Sequence, residues 1–396
     1  MSKFINSSEK RLQSLLQFSL GMIRGEDGST LIKRHKTALE NITPHDVIEM
    51  NAKQLEIGIT PAEIKQHIEK VMNVLYPYLK EYKWEKPQKG HPIYYLMKEN
   101  SALEKNLEKA KLALHNKNFS KMENLVTKIT EYEAHFIRKE NILFPYLEKH
   151  WENYTPLKVM WSLHDDIRDK WKLLLRQIKK DGEFTQKIYK IIGELFFLLY
   201  GMIFKEDLIV YPIAMESLNK KIWQQIQKQS AEIGYSFIDA PTEKYEQAET
   251  NPSIDESITD IFWKVETGEL SKKQLDLLLN NLPLDITFVD ENDEVRYFSR
   301  PKDRFFPRSP AIIGRKVQNC HPPESVHIVE DIIKEFKAGR KKVAKFWIQM
   351  KGKFVLIRYY AMFDKNKKYC GILEVGQDIT EIKKLEGEKR LLEWGK

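Results

Sequence analysis

The chain has 396 residues, enough for two or three domains that each bury a core. Its net charge of +8 comes from Lys and Glu interleaved along the whole length, so nucleic-acid binding is not expected. Two cysteines, Cys320 and Cys370, exclude a disulfide scaffold and a four-thiolate zinc site; no apolar run reaches the roughly 18 residues of a membrane span, and the start, MSKFINSSEKR, lacks a signal-peptide core. A reduced, cytoplasmic protein without a membrane partner is expected.

Residues 1–84 read as a small helical domain. Thr43-Pro44-His45-Asp46 and Thr60-Pro61-Ala62-Glu63 each place a Thr cap, a Pro in the first turn and an acid three residues after the cap. Ile64, Ile68, Val71 and Leu75 then follow helical spacing. His35, His45 and His67 share no spacing and read as surface or capping residues.

A lysine-rich break, Trp84 to Gly90, separates this part from residues 85–235. There four helical stretches follow at about 91–116, 119–149, 155–181 and 184–216, with a shorter helix around Lys220 to Gln229. Short connections make an up-down four-helix bundle the natural arrangement. The stretch His135 to Glu148 is echoed by Lys205 to Glu216: both run from charged residues through an apolar segment to a proline, Pro145 or Pro212, and end on an acid.

Residues 236–272 change to a linker composition, with a short helix expected at Asp260 to Thr267 and another from Ser271 to Leu279. From 273 the period becomes that of strands. Ile286 to Asp290 and Val295 to Phe298 flank a turn, a helix follows at Ser325 to Lys337, and three strands come at Val343 to Met350, Phe354 to Phe363 and Tyr369 to Gln377. A charged helix from Glu381 to Trp394 closes this α+β module, 273–396.

The candidate chemistry lies in the bundle. His91, His135, His164 and Glu206 place one polar anchor on each helix, an arrangement by which bundles build metal sites. Imidazole with carboxylate suits iron, zinc or manganese. Glu140 is a further ligand candidate, and Glu99 and Asp207 are further ligands or partners that orient a histidine. The competing reading is a metal-free core in which Lys139 and Arg168 neutralise Glu140, Glu206 or Asp207 directly.

His91-Pro92-Ile93, His135 with Glu140 and Leu143-Phe144-Pro145, His164-Asp165-Asp166, and Lys205-Glu206-Asp207 with Tyr211-Pro212 resemble the hemerythrin-like, or HHE, domain. The resemblance implies a non-haem di-iron centre among four antiparallel helices, ligated by histidines and bridging carboxylates. Three positions depart from the family pattern. His-x3-Glu becomes His135-x3-Lys139 with Glu140 adjacent, the second histidine of the third helix is Arg168, and the histidine heading the fourth motif is Met202.

Thr287-Phe288-Val289-Asp290, Ile313-Gly314-Arg315, Gly371 to Val375 and Asp378-Ile379-Thr380 resemble a PAS domain. That resemblance implies a cavity for haem, flavin or a small metabolite, or a dimerisation module. Cys320 and His321 are the candidate haem ligands. An apolar cavity lined by Phe288, Phe346, Ile348, Ile357 and Leu373 is expected.

With a helical amino-terminal domain of a kind found ahead of these two, the whole reads as a three-part bacterial sensor. Iron is the expected metal and haem the alternative. Dioxygen, nitric oxide, redox state or another small ligand is the expected signal, and a homodimer or a signalling protein the expected partner. A di-iron enzyme of repair or peroxide-reducing type and a metal-free scaffold are the other readings.

Overall fold

The computed structural model describes residues 2–241, 262–265, 267–302, 304–350 and 352–388. The chain divides into two compact units, the first all-helical and the second built on a sheet.

The helical unit opens with α1 (Ser2–Ile23), the short α2 (Gly28–Arg34) and α3 (Lys36–Glu40), then α4 (Pro44–Glu56) and α5 (Pro61–Leu79). Both expected capping boxes form: Thr43 with Asp46, and Thr60 with Glu63. Each satisfies two backbone N–H groups that a helix start leaves without partners. Leu15 and Phe18 of α1 and Leu75 of α5 are fully buried where these helices meet.

The bundle follows as expected. Its first helix is α6 (Pro92–His115). The second run is α7 (Phe119–Ile129), α8 (Glu133–Arg138) and α9 (Phe144–His150). The third is α10 (Thr155–Asp181), the fourth is α11 (Gln186–Lys205) with α12 (Tyr211–Ser217), and α13 (Lys220–Ile233) closes it. Leu103 and Leu107 of α6, Ile167 and Leu174 of α10 and Ile188 and Leu195 of α11 are buried in the bundle. Each such side chain contributes about 1.5–3 kcal/mol, which offsets the cost of the polar groups buried among them.

Two π-helical turns, Lys139–Leu143 and Glu206–Val210, interrupt the second and fourth runs. Their cause is in the sequence. Pro145 and Pro212 are second residues of α9 and α12; a proline has no N–H and its ring crowds the preceding turn. The chain takes up one extra residue, so Phe144 donates to the Lys139 carbonyl and Tyr211 to the Glu206 carbonyl, five residues back. Such bulges concentrate at functional sites.

The second unit begins with β1 (Phe262–Val265) and β2 (Gly268–Ser271), an antiparallel pair. This corrects the helix expected at 260–267. Phe262-Trp263-Lys264-Val265 is rich in strand-forming residues, and Gly268, at φ +156°, admits the turn. Next is α14 (Lys272–Asn281), capped by Ser271 as expected.

The main sheet comprises β3 (Asp285–Asp290), β4 (Val295–Phe298), β5 (Val343–Met350), β6 (Lys353–Phe363) and β7 (Tyr369–Asp378), all antiparallel in the order β4-β3-β7-β6-β5. One face meets α15 (Val326–Lys337) over a core of Val289, Val295, Ile312, Cys320, Ile333, Phe336 and Ile372. Gly371 is required where β7 passes β3. Its φ is +133°, and a Cβ there would lie 2.1 Å from the Val289 carbonyl oxygen.

Two expectations change here. The apolar cavity lining mixes two faces of the sheet. Phe288 pairs with Leu373, while their neighbours Val289 and Ile372 belong to the core, so alternation turns Phe288 and Leu373 outward. The helix expected from Glu381 is, over the described residues, the short 3-10 turn Ile382–Lys384. Leu385 is extended and Gly387 sits at φ +65°, which ends helical geometry there. The rest of that call, from Lys389 on, lies outside the described residues.

Candidate functional site

The two π turns carry their first side chains into the bundle. Lys139 and Glu206 are both fully buried, and so are His135, His164, Glu99 and Asn100. The Lys139 ammonium donates to Glu206 Oε1 and to His164 Nε2, the latter at 2.9 Å. Glu206 Oε2 meets His135 Nε2 at 3.0 Å and accepts from Asn100 at 3.0 Å and from the Tyr211 hydroxyl at 2.8 Å.

Behind each imidazole stands a second carboxylate. His135 Nδ1 lies 2.7 Å from Glu99 Oε2, and His164 Nδ1 lies 2.7 Å from Glu140 Oε1. A carboxylate behind Nδ1 fixes the ring and leaves Nε2 facing inward, as for histidines that bind metals. Aromatic faces hold both rings in place: Tyr132 stacks on His135 at 4.3 Å and Phe136 on His164 at 4.2 Å.

Each of these three carboxylates is paired with a cation, although Arg168 is shared with Glu133 and Asp165. Arg138 pairs with Glu99, Lys139 with Glu206, and Arg168 grips both oxygens of Glu140 at 2.8 and 2.9 Å. Burial alone would raise the Glu206 carboxyl, but Lys139 and His135 outweigh it and hold the group well below the usual carboxylate range. Burial pulls the Lys139 ammonium down, against Glu206 and Glu140. Burial, then Lys139 and Arg168, push His164 well below the ordinary imidazole range. Burial lifts Glu140 to about 7 against the pull of Arg168.

Asp207 connects this cluster to the surface. It accepts from Asn100 at 2.8 Å, the amide that also holds Glu206. Burial, with Glu206 and Glu104 adding to it, raises its carboxyl to about 7. Asp207 also lines a cleft of about 380 Å³ with Glu69, Tyr76, Glu104 and Phe204.

His135, His164, Glu140 and Glu206 are thus brought into one hydrogen-bonded cluster. His91 has another use. Its Nδ1 accepts from the Ile93 backbone N–H at 3.1 Å, capping α6, and its ring lies 4.5 Å from that of Trp223. Burial lowers its pKa to about 4.

In the second unit, Cys320 is packed in the apolar core and donates weakly to the Lys316 carbonyl at 3.7 Å. A haem on its sulfur would need the space that Ile312, Ile333 and Phe336 fill. His321 is lowered to about 4 by burial, with Glu374 opposing and Arg308 and Arg315 adding.

Family models match this chain in two places: a hemerythrin HHE cation binding domain over residues 91–214 and a PAS domain over residues 275–380. The chain carries an HHE domain and a PAS domain. The HHE match implies a cation site in the bundle. Solved structures are similar to parts of this chain. The C-terminal domain of a Streptococcus mutans protein is 33% identical, with 32% of this chain and 99% of that one covered and a TM-score of 0.31. The PAS domain of a Colwellia psychrerythraea protein is 18% identical, covering 28% and 97%, with a TM-score of 0.23. The PAS domain of Bordetella pertussis BvgS is 18% identical, covering 28% and 88%, with a TM-score of 0.24. No curated protein matches the chain.

The HHE cluster can be tested against the metal that its family implies. His135 Nε2, His164 Nε2 and Glu206 all face inward, as ligands would. Lys139 stands among them, however, and an ammonium has no lone pair to give a metal. Among the described residues, no three His, Cys, Asp or Glu side chains are set to hold a metal ion. As it stands, the donor set does not fit one.

Sequence reasoning named the histidines and Glu206 but missed Asn100, Tyr132, Arg138 and Tyr211 as members of the cluster. Tyr132, His135 and Arg138 or Lys139 recur at helical spacing, which puts them on one face. That was the available signal.

Proposed function

We propose that this is a sensor or regulatory protein in which the state of the buried HHE cluster is coupled to the PAS domain. The observation that carries the reading is the cluster itself. Glu99, Glu140, Glu206, Arg138, Lys139 and two histidines are buried together with the half-buried Arg168 closing one side, and Glu140 and the adjoining Asp207 are both raised to about 7. Replacing such a network by apolar residues is often neutral or stabilising, so stability gives little reason to keep it. Perturbed ionisable groups cluster at functional sites.

Dioxygen, nitric oxide and redox state are the signals an iron site would register. With Lys139 in that place, the input supported best is a small ligand or proton reaching the cluster through the cleft at Asp207. Self-association belongs to the same reading. β5 ends the sheet, and it exposes Val343 and Trp347, two residues pointing to one face, at 51% and 60%.

Hydrogen exchange on the full-length protein tests the coupling. Glu206→Gln alters the cluster without touching the PAS domain. The expected result is a change in amide protection along β3, β6 and β7. A variant with altered exchange in the helices and unchanged exchange in those strands would contradict the coupling.

A further inference from the structure

The segments Lys139 to Pro145 and Glu206 to Pro212 are one device used twice: a five-residue π turn whose first side chain points inward, with a proline six residues after that first residue. Two carboxylates at these matching positions would repel each other in a low-dielectric core and require a cation between them. This chain has a carboxylate at one position and an ammonium at the other.

We infer that Lys139 is the cation of this cation site, a positive charge tethered to the chain in the place of a metal ion. Three observations carry this. Lys139 Nζ contacts Glu206 and lies 2.9 Å from His164 Nε2, so it meets the groups a metal would meet. Both imidazoles are braced by carboxylates at Nδ1, the bracing expected of metal-binding histidines. Glu99, Glu140 and Glu206 are each already paired with a cation of the chain, so these three carboxylates do not need a further dication to neutralise them. The ammonium is fully buried, 4.9 Å from the Phe136 ring centroid, and a metal would have to displace it.

The inference concerns what occupies the site, and it stands or falls independently of any coupling to the PAS domain. It also says what the site becomes without its tethered charge. Removal of the ammonium leaves His135 Nε2, His164 Nε2 and Glu206 around a space, two imidazoles and a carboxylate that suit a divalent first-row ion.

Cobalt(II), whose visible absorption reports coordination, is the probe, used on full-length wild type, Lys139→Ala and Lys139→Ala/Glu206→Gln. Wild type should retain no stoichiometric cobalt after dialysis, and excess cobalt should leave its Tm unchanged. Lys139→Ala should bind cobalt at a ratio near one per chain, gain visible absorption, and rise in Tm as cobalt is added. Adding Glu206→Gln should weaken that binding by at least ~10–100-fold. If Lys139→Ala does not fold, Lys139→Glu, which restores a carboxylate pair, should fold with cobalt and lose that stability with a chelator. Stoichiometric cobalt in the wild-type cluster, or a folded Lys139→Ala that binds no more cobalt than wild type, would overturn the inference.

Discussion

Lys139 and Glu206 stand at the same position of two matching π turns, and their side chains join in the core of the HHE bundle. One proline-driven bulge delivers a cation and the other a carboxylate. Around that pair the remaining charges fall into order, with Arg138 on Glu99 and Arg168 on Glu140. The cluster is closed by charges of the chain itself.

In a cluster closed this way, breaking one pair is costly and removing both partners is not. Arg168→Met leaves Glu140 buried without its guanidinium and should destabilise the protein by about 3–5 kcal/mol. Adding Glu140→Gln removes the stranded charge and should recover more than half of the loss. Chemical denaturation of the single and double variants measures both. A double variant no more stable than Arg168→Met would mean that the pair is not the source of the cost.

Asp207 gives a pH signature. Its carboxyl, raised to about 7, keeps its proton in the folded protein over a range where the unfolded chain has lost it. The folded state therefore binds more protons there, so its stability falls as pH rises toward about 7 and levels off above. Asparagine has no such proton. The Tm of Asp207→Asn relative to wild type should be higher near pH 8 than near pH 5. An unchanged difference would show that Asp207 titrates normally.

Much of the fold was legible in the sequence because local signals and hydrophobic period agreed. The Thr-Pro caps, the five bundle segments and the α15–β7 order all follow such signals. Of the four anchors expected on the helices, His135, His164 and Glu206 meet in the cluster, while His91 caps α6 instead. Lys139 and Arg168 were legible as cations for Glu206 and Glu140, but Arg138 on Glu99 was not, because that pairing joins different helices and no spacing rule links the two. The outer faces of the sheet were misread for a related reason: Phe288 is apolar yet falls out of phase with Val289, which the core takes.

His91 separates a capping role from a ligand role. Its imidazole accepts the Ile93 N–H, as an asparagine side chain can. His91→Ala should cost about 1 kcal/mol or more, with lost packing on Trp223 adding to the cap. His91→Asn should recover the capping share. Equal losses in the two variants, measured by thermal denaturation, would rule the cap out as the reason for this histidine.

The proposed self-association rests on the exposed face of β5. Trp347→Glu places a charge at its most exposed apolar residue, opposite Leu356 of β6. Light scattering should find wild type as a dimer and Trp347→Glu shifted to monomer. A wild-type monomer at high concentration, or a dimer indifferent to the charge, would move the interface elsewhere or remove it.

The claim that the bundle carries its own cation is tested most directly by elemental analysis together with an absorption spectrum of the full-length wild-type protein, purified without air. The account predicts substoichiometric iron, zinc and manganese, no Soret band and no iron–ligand absorption, in a fully folded protein. Iron at or above a ratio of about one per chain, bound so that Lys139→Ala does not increase it, would contradict the account.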